Sequence, residues 1–61
     1  MKRTDVISAL SFAMELHRNW ATVQRRRRSD GKGALPFVGG ETYHRDWAKV
    51  YRQAISLIVA K

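Results

Sequence analysis

The chain has no cysteine, one proline and four glycines, and its 61 residues carry only five acids against twelve lysines and arginines. Without cysteine it can form neither a disulfide nor a thiolate metal site, and its two histidines alone cannot complete a structural zinc site. We therefore expect no metal and no cofactor. The lack of cysteine also fits a reducing compartment, so the expected location is cytoplasmic.

Long uncharged segments are missing as well. No run approaches the roughly 20 apolar residues that a membrane-spanning helix needs, so we expect no transmembrane segment. The charged start and the apolar stretch at 6–14 have the outline of a secretory signal. However, Glu15, His17 and Arg18 follow where small residues should form a cleavage site, and we expect no such signal.

Catalytic motifs are missing too. Gly31 and Gly33 are followed by Pro36, where a dinucleotide-binding fingerprint needs another glycine, and Lys32 stands on the wrong side of the glycines for a P-loop. The tripeptide at 44–46 matches the kinase catalytic tripeptide in a chain too short to hold a kinase. The sequence predicts a protein that is not an enzyme.

The first half of the chain predicts one long helix over about 5–28, because it holds no glycine or proline. Thr4 or Asp5 is the expected N-cap, and Gly31 can end the helix in the left-handed conformation. The apolar arc of this helix is wider than one neighbour can cover, which indicates a second copy of the chain. Its members are Val6, Ile7, Leu10, Phe12, Ala13, Met14, Leu16, His17, Trp20, Ala21 and Val23.

Within that arc we expect His17 to be a buried or interfacial histidine with a hydrogen-bond partner. A second helix is predicted over about 41–60, with Thr42 as N-cap. Its apolar face comprises Tyr43, Trp47, Val50, Tyr51, Ala54, Leu57 and Ile58. The expected fold is all-α, a single domain forming a two-helix antiparallel hairpin with a long Gly-rich connection at about 29–40. We expect it to dimerise into a four-helix arrangement.

The connection is longer than most links between bundle helices, and its apolar centre at 35–38 is bracketed by glycines. We favour an arrangement in which Leu35 and Phe37 fold back over Trp20 and Trp47, since exposed apolar loops promote aggregation. In the alternative, an apolar tip contacts a partner protein through Leu35, Phe37 and Val38.

Charge suggests the partner. The net charge is +7 and four consecutive arginines occupy 25–28, although one or two would suffice to complement a helix C-terminus. The tract at 24–28 is similar in composition to the arginine-rich helical segments that enter RNA grooves. Arginine matches phosphate geometry, so the sequence predicts a small nucleic-acid-binding protein, for DNA or RNA, that acts by occupancy.

The predicted contacts are to phosphates, which position a protein without reading bases. Asn19 and Gln24 could contact base edges, but each fits an ordinary surface amide equally well. The link is too long for a helix-turn-helix. The candidate nucleic-acid-binding residues are Arg18, Gln24, Arg25, Arg26, Arg27, Arg28, Lys32, Arg45, Lys49 and Arg52.

A second hypothesis uses the same basic surface. A small regulator or inhibitor could dock on an acidic surface of a partner protein, with the 35–38 loop as its apolar anchor, because arginine and aromatic residues are common in interface hot spots. Binding to an anionic membrane surface is a weaker third option, since packing explains the apolar arc better.

Overall fold

A computed structural model describes residues 1–60 and contains two α-helices that pack against each other. Helix α1 spans Arg3–Ser29 and helix α2 spans Glu41–Val59. The described part of the chain holds no strand, and the hairpin is 44 Å long. The prediction of an all-helical hairpin is confirmed.

The end of α1 follows the predicted design. Gly31 has a φ of 73°, a conformation that glycine adopts without a side-chain clash. Its N–H donates to the carbonyl of Arg28 at 3.1 Å, and the Lys32 N–H donates to the carbonyl of Arg27 at 2.8 Å. These two bonds form a Schellman motif, which satisfies carbonyls that the last turn leaves without helical partners.

Both predicted N-caps are wrong. Helix α1 begins after Lys2 and α2 begins after Gly40, and neither start has a side-chain cap. Thr4, Asp5 and Thr42 therefore lie inside the first turns. Asp5 and Glu41 place carboxylates there, where they complement the positive end of each helix dipole.

The two ends of the hairpin are tied by arginines of α1. Arg3 donates from Nη2 to the carbonyls of Ile58 at 2.7 Å and Val59 at 3.1 Å. Helix α2 has no basic residue in its own last turn, so Arg3 supplies the cation that the negative dipole end favours. At the other end, Arg27 donates from Nε to the carbonyl of Gly33 at 2.9 Å.

The orientation of α2 differs from the prediction. Of its expected apolar face, Tyr43, Trp47, Val50 and Leu57 are exposed. The helix instead packs on α1 through a row centred on the buried His44. The half-buried residues of this row are Ala48, Tyr51, Ile55 and Ile58. The apolar face of α2 therefore lies next to the row that contacts α1, and α1 does not cover it.

The core between the helices is thin. Among residues 1–60 no hydrophobic side chain is buried, and the two buried side chains are polar, Gln24 at 3% exposure and His44 at 4%. Near the end of α2, Leu57 and Val59 remain exposed. Two helices alone offer too little surface to bury a complete core.

Candidate functional site

One groove between the helices collects basic side chains from both of them. Two adjoining hollows make up this basic groove, and both contain Arg18 and Arg45. Ala21, Ala48 and Met14 form its floor. Its basic members are Arg18 and Arg25 from α1 and Arg45, Lys49 and Arg52 from α2. All five were predicted as binding residues, and the hairpin brings them together.

The register of the seam explains this grouping. His17 and Gln24 of α1, and His44 and Tyr51 of α2, lie on the seam and are spaced by seven residues within each helix. A helix turns 100° per residue, and in an antiparallel pair the residue after a seam position points to the same side on both helices. Those following residues are Arg18, Arg25, Arg45 and Arg52.

The residues that precede the seam positions point to the opposite side. They form the apolar side of the hairpin, which comprises Leu16, Val23, Tyr43, Val50 and Leu57, and all five are exposed. Phe12 lies one turn before Leu16 and is also exposed. The prediction that one neighbour cannot cover the apolar arc of α1 is confirmed.

Few acidic residues lie near the basic groove. Arg18 pairs with Glu15 at 3.2 Å, and both side chains are more than half exposed. Exposed ion pairs of this kind contribute about 0–1 kcal/mol, so a phosphate can replace the Glu15 carboxylate at little cost. Arg45 pairs with Glu41 at 2.7 Å, and Glu41, whose side chain is only 13% exposed, also pairs with Arg28.

The four-arginine run does not form one surface. Arg25 lines the basic groove, whereas Arg28 pairs with Glu41 at 3.2 Å across the hairpin. Arg27 donates to the carbonyls of the connection, and Arg26 is exposed. Because neighbouring helical residues diverge by 100°, the run distributes its charges around the end of α1.

Gln24 braces the connection. Its Nε2 donates to the carbonyls of Gly39 at 2.7 Å and Leu35 at 3.2 Å, and its Oε1 accepts from the Leu35 N–H at 2.9 Å. The amide is buried and fully engaged, so it does not present donors to a base edge. Lys32 is exposed on the connection, outside the basic groove.

His17 has the hydrogen-bond partner that the sequence predicts. The Nδ1 atoms of His17 and His44 lie 2.8 Å apart, and Nε2 of His44 bonds to the carbonyl of Val38. A carbonyl only accepts, so Nε2 of His44 carries a proton, and in neutral His44 the Nδ1 atom accepts from the Nδ1–H of His17. Burial lowers the pKa of His17, and the neighbouring His44 lowers it further.

Aromatic rings surround this histidine pair. The His17 ring stacks on Trp47 and Tyr51, with centroids 6.2 Å and 5.7 Å away, and Trp20 stacks on His44 at 6.2 Å. An aromatic cluster therefore forms around the histidines near the connection. The sequence pattern placed only His17 among the apolar residues, so it did not identify His44 as part of this cluster.

The connection departs from the favoured prediction. Phe37 does not fold back over Trp20 and Trp47; its side chain is 104% exposed. Leu35 and Val38 are half-buried. Gln24 holds the backbone of Leu35, and His44 holds that of Val38, so the intervening turn projects away from the helices.

No protein-family model, curated protein or solved structure matches this chain. Within residues 1–60, neither helix combines the length and the apolar character needed to cross a bilayer. The described residues also bring together no group of three or more potential metal ligands.

Proposed function

We propose that this protein binds nucleic acid through the basic groove and acts by occupancy, without catalysis. The observation that carries the proposal is the convergence of Arg18, Arg25, Arg45, Lys49 and Arg52 on one groove. Arginine forks match phosphate oxygens, and a groove lined on both walls by cations follows a polyanionic backbone. The groove residues contact phosphates, which are the same in every sequence, so binding is tolerant of sequence.

We further propose that the apolar side binds a second copy of the chain. Six exposed apolar side chains lie on this side, and they come from both helices. The thin core gives the single hairpin a reason to associate, since small domains often need oligomerisation. Pairing through this side produces a four-helix arrangement whose two basic grooves face outward.

A test compares two variants with the same loss of charge. The groove variant carries Lys49→Ala and Arg52→Ala, and the control carries Lys2→Ala and Arg26→Ala. Fluorescence anisotropy measures their binding to an oligonucleotide across a salt series. Loss of two phosphate contacts should reduce the log–log salt slope of the groove variant by about 1.4 on a single strand. Equal slopes in both variants would contradict the proposal.

A second candidate function is docking on an acidic protein surface, with Phe37 as the anchor. The complete exposure of this side chain favours it. Under this alternative the wild-type protein shows no salt-dependent affinity for DNA or RNA, so the same salt series separates the two functions.

A further inference from the structure

Phe37 combines exposure with an unfavourable backbone conformation. Its φ of 67° lies in the left-handed region, and it follows Pro36 in a turn where glycine or asparagine is the usual residue. It is the one residue other than glycine with positive φ among residues 1–60. A large ring held at such a position, without burial to compensate, points to a function for the ring.

The surrounding structure holds this turn in place. Both buried side chains of the hairpin, Gln24 and His44, bond to the connection on either side of Phe37. Gly39 fits closely against α2, since a Cβ there would lie 2.6 Å from the ring of Tyr43. A ring on a braced turn loses little conformational freedom when it binds, which favours affinity.

The surroundings of the turn carry positive charge. Arg28 and Lys32 are exposed at this end of the hairpin, and Glu41 is already engaged by Arg28 and Arg45. Arg25 and Arg45 bring the basic groove to the same end. The groove and the turn that carries Phe37 therefore lie at the same end of the hairpin.

A single projecting ring suits one class of partner. Leu35 and Val38 are half-buried, so the tip offers one fully exposed large apolar side chain and little area for a protein interface. An unpaired base needs only one ring on which to stack, and such stacking tolerates any sequence. Sequence-tolerant stacking agrees with the proposed groove contacts, which are to phosphates and not to bases.

We propose that Phe37 stacks on an unpaired base of a single-stranded nucleic acid whose backbone lies in the basic groove. This inference rests on the proposed function and narrows its substrate to single strands. Stacking on one base contributes about 1–3 kcal/mol, which corresponds to about a 5- to 150-fold change in affinity.

The test uses Phe37→Asn, with Phe37→Trp as the conservative variant. Asparagine accepts positive φ more readily than phenylalanine, so the fold should survive, and thermal melting checks this. If the asparagine variant melts lower than the wild type, Phe37→Gly replaces it, since glycine takes this conformation freely. Binding is measured with a 20-nucleotide thymidine strand and with a 20-base-pair duplex.

We expect Phe37→Asn to lose about 5- to 150-fold on the single strand and to bind the duplex as the wild type does. Phe37→Trp should retain single-strand binding, and the groove variant should lose affinity for both ligands. If Phe37→Asn binds the single strand normally while the groove variant binds more weakly, the stacking inference is wrong but the proposed function stands. A contact with a protein partner would then be the remaining explanation for the exposure of Phe37. If neither variant is weakened, both proposals fail.

Discussion

The Nδ1 atoms of His17 and His44 lie 2.8 Å apart on the helix seam, near the connection. The bond needs one of these nitrogens without a proton, and His44 already uses its other nitrogen on the carbonyl of Val38. The groups that face the pair are the rings of Trp20, Tyr43, Trp47 and Tyr51. Within residues 1–60, no carboxylate is among the groups that face the pair.

The first prediction concerns pH. The pKa of His17 is lowered from 6.5 in the folded protein, so the unfolded chain takes up its proton first as the pH falls. Stability should therefore be constant above about pH 7 and decline as the pH drops below 6.5, until the folded pKa is reached. Denaturant unfolding between pH 5 and pH 8 measures this, and NMR titration of His17 gives the pKa directly.

His17→Gln provides the control for that experiment, because its amide can still donate to His44 without titrating. We expect a shallower loss of stability at acid pH in this variant. A wild-type stability that does not change between pH 5 and pH 7.5 would show that the pair does not resist protonation.

A second prediction concerns Gln24. Gln24→Met keeps the shape of the side chain but leaves the Leu35 N–H and the carbonyls of Leu35 and Gly39 without their partner. Unpaired buried groups cost about 1–3 kcal/mol each, and partial access to water at the connection should limit the total to about 2 kcal/mol. Urea unfolding measures the change.

Gln53→Met is the matched control, because Gln53 is exposed on α2. Exposed substitutions usually change stability by less than about 0.5 kcal/mol. Amide exchange at Leu35 should also accelerate in Gln24→Met alone. An equal effect of both substitutions would mean that Gln24 does not brace the connection.

The third prediction tests association through the apolar side. Val50 and Leu57 are 52% and 68% exposed, so changing both to glutamine should cost the single hairpin little. In a dimer the same side chains would be buried, and each fully buried side chain of this kind contributes about 1.5–3 kcal/mol. Sedimentation equilibrium should show a dimer dissociation constant at least about tenfold higher in the variant.

Val59→Gln is the control for association, because Val59 is also exposed and apolar but follows Ile58 and so points to the other side. It should leave the dimer constant unchanged. A wild-type protein that sediments as a monomer at high micromolar concentration would refute the dimer, and the basic groove would then belong to a single hairpin.

Much of the secondary structure could be predicted from the sequence, because its signals are local. The absence of glycine and proline defines α1, and Gly31 marks its end. The N-caps could not be placed in the same way. Thr4 and Thr42 are good caps, but each helix has its N-cap two residues earlier, which places Asp5 and Glu41 in the first turns, where they complement the helix dipole.

It was harder to predict which face of α2 packs on α1 and where the side chains of the arginine run lie. An apolar face shows where a helix needs cover, but it does not say which neighbour supplies it, so Tyr43 and Val50 were assigned to the wrong contact. Four consecutive arginines look like one basic surface in the sequence, but their side chains point in different directions around the helix. The seven-residue spacing of His17 with Gln24, and of His44 with Tyr51, was the available signal.

Gln24 illustrates a further limit. A glutamine in a basic helix is usually an exposed amide, and only the path of a connection eleven residues later makes it the most buried side chain of the hairpin. Such long-range polar contacts leave no periodic pattern. The exposure of Phe37 could not be predicted from the sequence either, because it depends on the hydrogen bonds that hold Leu35 and Val38.

The most direct test of the basic groove is an NMR titration of the arginine side-chain Nε–H signals with a single-stranded oligonucleotide. The groove arginines Arg18, Arg25 and Arg52 should shift first and most strongly, while Arg3 and Arg26 should change little. If Arg26 instead shifts together with the rest of the 25–28 run and Arg18 and Arg52 do not respond, the groove is not the binding surface and the account is contradicted.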